Sequence, residues 1–328
     1  MRNLAPLLAL VVVVGWLSMA GAGPTQEDER EPLPLETVEA VSCTECHRGI
    51  ALEWAESMHA KAWIDPIYQK SVKKKRRPES CYGCHIPEPL HQGELGRKPK
   101  PRSEASEPLV HGVSCNTCHL GPEGEILGPF GAENEAHRSV QSPSFLGAGR
   151  DQLCSSCHST NIGPVIGVAK DFASTRQADK GRSCVGCHMS FELRKIADSD
   201  PNGPDIERKG RSHRINGPSD PEFLQRAFQL SANSAEGRVR VTIANGAGHR
   251  VPGLIGRRFE LTARLLDAEG AELATREATF DTFSFLDVTR PFEWVFEGAG
   301  AAVHVTGLHF PTEDARPIPF LDERLAIE

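Results

Sequence analysis

All ten cysteines of this 328-residue chain fall in five copies of one pattern, Cys-x-x-Cys-His. The cysteine pairs are Cys43 and Cys46, Cys81 and Cys84, Cys115 and Cys118, Cys154 and Cys157, and Cys184 and Cys187. The histidines that close the copies are His47, His85, His119, His158 and His188. Two intervening residues let both sulfurs reach neighbouring substituents on one porphyrin edge while the next side chain turns up to the metal. Each copy therefore predicts a covalently attached c-type haem with a histidine ligand, five in all. A Cys-x-x-Cys pair alone could be half of a zinc ribbon or a redox dithiol, and ten cysteines in an exported chain could form disulfides. Neither explains a histidine after every second cysteine with no cysteine left over.

The first residues support export. Arg2 precedes an apolar run from Leu4 to Leu17, broken by Pro6 and Gly15, and Ala20-Gly21-Ala22 follows as a small-residue cleavage pattern, so 1–22 reads as a secretory signal. The run is shorter than a bilayer span needs, and no later stretch is long and apolar enough to cross one. The expected mature protein is soluble and periplasmic or otherwise exported, the side of the membrane on which haem is attached to cysteine. A net charge of −7 does not suggest nucleic acid as a partner. Only 6% of residues are aromatic, the shortage expected where porphyrins supply the large flat apolar surfaces of a core.

Residues 23–40 are polar and proline-bearing and read as a flexible linker. From 41 to 217 the motifs recur every 30 to 39 residues, with glycine and proline too dense for long regular elements. The exception is 50–63, strong helix formers without a breaker, which predicts a helix directly after the first motif. From 218 the texture changes. Residues 221–230 suggest a short helix, and 237–244, 258–267, 272–285 and 293–306 alternate as half-buried strands do. The expected fold is a mainly helical and irregular multihaem domain packed around five haems, followed by a small β-rich, sandwich-like domain over 218–328. The last residues leave room for one more strand, from a longer chain or from a partner.

Eight histidines lie outside the motifs, and a six-coordinate iron needs one ligand from the face opposite its motif histidine. His59, on the expected helix, and His111, four residues before Cys115, are tethered too closely to serve their own haems and suit adjacent ones. His137 and His213 lie near motifs, and His249 sits in a turn-like Gly-His-Arg-Val-Pro-Gly segment. These five are the candidate distal ligands; His91 is a reserve, and His304 and His309 read as ordinary residues of the β region. Beyond the expected signal only Met58 and Met189 compete, so bis-histidine ligation and low potential are expected.

Several stretches resemble the multihaem cytochromes related to the tetrahaem cytochrome c-554 that accepts electrons from hydroxylamine oxidoreductase, a superfamily that includes pentahaem nitrite reductase. They are Trp54-x-x-x-Met58-His59 after the first motif, His111-Gly112-Val113-Ser114 leading into the third, Cys187-His188-Met189, Ser212-His213-Arg214-Ile215-Asn216-Gly217, and Asn245-Gly246-Ala247-Gly248-His249. The resemblance implies that the histidines matching His59, His111 and His213 are distal ligands and that the haems stack in close parallel and perpendicular pairs. Two departures stand out. The nitrite reductases commonly carry Cys-x-x-Cys-Lys at the catalytic haem, absent here, and the hydroxylamine enzymes carry more haems and a tyrosine cross-link that only Tyr68 and Tyr82 could imitate.

Two functional readings follow. The first is a carrier that moves electrons between redox proteins, with a membrane quinol oxidoreductase or another cytochrome as the kind of partner, and with self-association open. The second is a reductase in which one haem keeps an open distal position for a small nitrogen or sulfur compound such as nitrite or hydroxylamine. The basic run from Lys70 to Arg77, just before the second motif, is either a solvated loop or a patch that steers an acidic redox partner.

Overall fold

Two cysteines three residues apart and a histidine next to the second share one face of a single helical turn. All five motifs accordingly fold as helix. The structure, a computed structural model of the chain, describes residues 33–39, 41–131, 135–198 and 206–328. The expected signal and most of the expected linker lie outside them. The described helices are α1 (Leu35–Glu39), α2 (Thr44–Glu56), α3 (Pro66–Val72), α4 (Glu79–His85), α5 (Cys115–His119), α6 (Gly149–His158), α7 (Val168–Ser174), α8 (Cys184–His188) and α9 (Pro221–Gln225). The helices α4, α5, α6 and α8 each end on their motif histidine, and α2 kinks at its own, His47 (φ −110°, ψ 38°).

The helix expected over 50–63 stops early. The chain turns extended at Ser57, whose hydroxyl donates to Trp54 O (2.6 Å) and accepts from Ala60 N (3.2 Å). The turn that follows packs against Gly112: a Cβ there would meet the carbonyl oxygens of His59 and Ala60 at 2.5 Å, and its φ is +55°. Val113 N donates to His59 O (2.9 Å) and Trp54 Nε1 to Val113 O (2.9 Å). Tertiary packing overrides the helical preference of 57–63, so His59 projects from a clamped turn. The end of the expected linker is also packed: Leu33 is buried with Val41, Ala51, Trp54, Ala55 and Ala60, and 35–39 is helical.

Two short strand pairs decorate this region. Strands β1 (Ile126–Gly128) and β2 (Ser139–Gln141) are parallel, while β3 (Phe191–Ala197) and β4 (Ile206–Arg211) form an antiparallel hairpin between the fifth motif and His213. Glu53 ties that hairpin to α2. Its carboxylate accepts from Arg194 Nη1 (2.6 Å) and His213 N (2.8 Å). Burial alone would raise the Glu53 pKa, but these two donors and the Arg194 charge outweigh it and hold it below the usual carboxylate range.

Seven strands complete the chain: β5 (Phe228–Ala235), β6 (Arg238–Asn245), β7 (Arg258–Leu266), β8 (Glu272–Phe280), β9 (Phe292–Glu297), β10 (Ala302–Phe310) and β11 (Ile318–Ala326). They form a three-stranded sheet, β5-β6-β9, and a four-stranded sheet, β11-β10-β7-β8, all antiparallel. Alternation places Val239, Val241 and Ile243 of β6 inward in one sheet and Phe259, Leu261, Ala263 and Leu265 of β7 inward in the other, in one shared apolar cluster. Burying each large side chain contributes about 1.5–3 kcal/mol relative to exposure, so this sandwich holds itself together. Strands 272–285 and 293–306 differ from expectation: the first ends at Phe280, and the second is two strands joined by a turn through Gly298 and Gly300. Strands β5 and β11 were not expected. The expected 221–230 helix is only Pro221–Gln225, capped by Asp220, whose carboxylate accepts from Phe223 N (3.1 Å).

The sandwich does not stand apart from the motif region, for Pro32–Glu328 makes one compact unit. The turn after β6 docks on 171–182. Asp171 pairs with Arg250 (3.4 Å) and accepts from its backbone N–H, Thr175 Oγ1 donates to Gly248 O (3.4 Å), and the Arg182 guanidinium donates to Gly246 O.

Candidate haem-binding centres

Four of the motif histidines are held by backbone carbonyls from other segments. Nδ1–H of His85 donates to Ala62 O (2.5 Å), that of His119 to Leu127 O (2.7 Å), that of His188 to Asn216 O (2.6 Å), and that of His47 to Ile196 O. A proton fixed on Nδ1 leaves the Nε2 lone pair free, the form in which imidazole binds a metal, and the second bond sets the ring's direction. The same device recurs outside the motifs. His213 Nδ1–H donates to Arg211 O (3.0 Å) and His249 Nδ1–H to Arg250 O (2.9 Å).

Four motif histidines face a second histidine ring. His47 faces His137 at 6.3 Å between ring centres, His158 faces His59 at 6.1 Å, His119 faces His213 at 6.3 Å, and His188 faces His249 at 6.4 Å. Two imidazoles bonded from opposite sides to one metal at about 2.0 Å have ring centres about 6 Å apart. Direct stacking would be closer. Each pair joins two segments well separated in sequence, and the last is completed by the sandwich. Asn245 fixes its turn, accepting from the N–H of Ala247 (2.8 Å) and Gly248 (3.1 Å) and donating to His249 O (2.9 Å) and Leu286 O (2.8 Å).

Burial disfavours the protonated form of several of these rings. It lowers the pKa of His59 to about 3, with His158 and His188 adding to the effect, and that of His213 to about 4, with help from His119. Burial likewise lowers His85, His119, His158 and His249.

The second motif differs. His85 is stacked on Tyr68, with centres 3.7 Å apart and planes 12° apart, and Trp63 lies 5.9 Å from Tyr68 and 5.1 Å from Tyr82. Both tyrosines of the chain are therefore gathered here. The Tyr68 hydroxyl is buried without a hydrogen-bond partner among the described residues. His111, expected as a distal ligand, is buried edge-on to Trp54 (6.2 Å, 80°) rather than opposite a motif histidine, and its Nδ1 meets Glu107 Oε1 at 3.2 Å. His91 lies over Phe145 (6.2 Å), with a buried Nε2 lacking a hydrogen-bond partner, beside a cavity of about 630 Å³ that it lines with Ser142, Leu146 and Gln152. His304 bonds Asp322 (2.6 Å) and His309 stacks on Phe259 (4.8 Å), both within the sandwich.

Sequence reasoning missed the rings that flank the motif histidines: Tyr68 at His85, Phe145 at His119 (4.9 Å) and Phe223 at His188 (5.0 Å). No local pattern marks them.

The motifs also meet one another through their cysteines. The thiols of Cys43 and Cys115, of Cys84 and Cys157, and of Cys154 and Cys184 lie close enough to interact. The first motif thus adjoins the third, and the fourth adjoins both the second and the fifth. All ten cysteines are free of disulfides, and among the described residues no three His, Cys, Asp or Glu side chains converge on a metal-sized point. The facing imidazoles, together with the orphaned Tyr68 hydroxyl and His91 Nε2, fit flat iron-bearing groups between them.

Among the described residues no helix is long and apolar enough to cross a membrane. Residues 42–120 match the family model described as "Cytochrome c554 and c-prime". Cytochrome c-554 of Nitrosomonas europaea is 27% identical over 135 residues, covering 35% of this chain and 54% of that protein. The match thus spans about half the length of that curated relative. A solved structure, the penta-heme cytochrome c552 from Thermochromatium tepidum, superposes with a TM-score of 0.60 at 17% identity, covering 90% of this chain and 98% of that one. At that identity the likeness is one of fold.

Proposed function

We propose that this chain, which belongs to the multihaem c-type cytochromes, is an exported carrier holding five haems and passing electrons between protein partners. The observation that carries this reading is the set of four facing imidazole pairs. Haem iron supplies reversible one-electron exchange, and bis-histidine ligation favours low potential over the higher values that methionine brings. The five cysteine pairs hold the groups covalently. His47 with His137, His158 with His59, His119 with His213, and His188 with His249 would each hold one iron between them. His85 holds the second group from one side, and His111 is the remaining candidate for its other side. The carbonyl bonds at Nδ1 of His47, His85, His119, His188, His213 and His249 would keep those rings turned toward their irons, and burial of His59 and His213 disfavours the competing proton there. Close approaches between thiols of different motifs support short hops between the first and third groups and among the second, fourth and fifth. On this reading 41–217 is the haem domain, 218–328 is a β domain that lends His249, and 1–22 directs export.

The second motif favours a second reading, a reductase at that centre, because His85 lies against Tyr68 and, among the described residues, no imidazole ring is stacked or tilted opposite it. An electron paramagnetic resonance spectrum of the oxidised holoprotein separates the two. At least four low-spin ferric signals are expected, and His249→Ala should convert one to high-spin. An unaltered spectrum in that variant would remove His249 as a ligand. A high-spin component in the wild type that shifts with nitrite or hydroxylamine would favour the reductase.

A further inference from the structure

Two basic segments, separate in sequence, converge on the second motif. The first runs from Lys70 to Arg77, with six cations and no carboxylate, and it leads straight into α4. Residues 73–77, Lys-Lys-Lys-Arg-Arg, are all exposed. Among the described residues none of these five is in an ion pair, whereas Lys70 reaches Asp314 at 3.8 Å. The second carries Arg97, Lys98 and Lys100, also exposed. It is laid across the motif itself: a Cβ on Gly83, between Cys81 and Cys84, would meet Pro99 O at 2.3 Å. The Lys98 ammonium donates to Ser80 O, next to Cys81. Of this second group only Arg97 meets a carboxylate, Glu94 at 2.6 Å.

We propose that this collar of cations around Cys81 and Cys84 is the docking port for an acidic redox protein, which exchanges electrons with the chain through the second haem. The inference rests on the carrier reading and names its entry or exit point. Unpaired, solvent-facing cations concentrate a field that accelerates encounter with an oppositely charged surface. The whole chain carries net charge −7, so an extended polyanion or an anionic membrane would meet repulsion around the collar. A protein with one localised acidic patch would not. The thiols of the second motif also adjoin the fourth, which adjoins the fifth, so an electron delivered here has an onward path.

The test uses the full holoprotein and stopped-flow reduction by two probes: reduced flavodoxin, an acidic protein, and dithionite, a small anion. Two charge reversals, Lys73→Glu/Lys75→Glu/Arg77→Glu and Lys98→Glu/Lys100→Glu, should each slow flavodoxin at least about tenfold at low ionic strength and flatten its salt dependence. Dithionite rates should be unchanged, and Arg238→Glu/Arg290→Glu, on the sandwich, should alter neither. An unchanged flavodoxin rate, or an equal loss in the sandwich control, overturns the port. Parallel slowing of dithionite overturns it too, assigning the collar to small anions. A wild type that neither probe reduces fails as a carrier altogether.

Discussion

The two regions of this molecule solve the problem of a core in opposite ways. In the sandwich one apolar cluster draws on both sheets, with Phe259 against Phe228 (5.6 Å) and Phe320 (5.7 Å) at its centre. In the motif region the corresponding cluster is a few residues around Trp54, and much of the interior is lined by histidine, cysteine and backbone carbonyls. The sandwich obtains its cohesion from side chains. On the proposed function the motif region leaves that role to covalently attached groups, so its amino acids specify directions and anchor points more than bulk.

The strongest way to break this contrast is to withhold the haems. Chain made without c-haem maturation should keep slow amide exchange over 218–328 and lose it over 41–217; equal protection in both would refute the division. The next effect is smaller. Phe259→Ala should cost about 3–5 kcal/mol of sandwich stability through loss of a buried aromatic and the cavity left behind, while haem content stays constant. Calorimetry that shifts the motif region equally would count against separate cores. Smallest is Glu53→Ala, which leaves Arg194 facing no carboxylate but the more exposed Glu192 at 3.7 Å and removes the acceptor of His213 N–H. About 2–3 kcal/mol should be lost from the motif region alone, and an unchanged exchange rate at β3 and β4 would show that the tether is idle.

The same contrast explains what the sequence made legible. The attachment motifs were readable because their chemistry is local, two sulfurs and a nitrogen within five residues. Strands β6 and β7 were readable because one face is apolar at every second residue. Strand β5 was not, since Gln229, Ser231, Asn233 and Ser234 leave only Phe228, Leu230 and small alanines to mark it. The helix over 50–63 was extended too far because nothing in 57–63 announces the close approach of Gly112. Which histidines face each other was beyond reading. His47 with His137 and His119 with His213 join positions about 90 residues apart, and only the folded chain measures that span. His111 shows the converse. Its short tether to Cys115 suggested a role that proximity alone does not decide, and in the fold its ring neighbour is Trp54.

The Asn245 turn carries a consequence for quality control. On the proposed ligation, a chain that is truncated or unravelled after residue 217 would still take up every porphyrin and keep its colour, yet one iron would be left wanting the imidazole that this turn delivers. The spectrum of a single centre would thereby register whether the distant third of the polypeptide had matured.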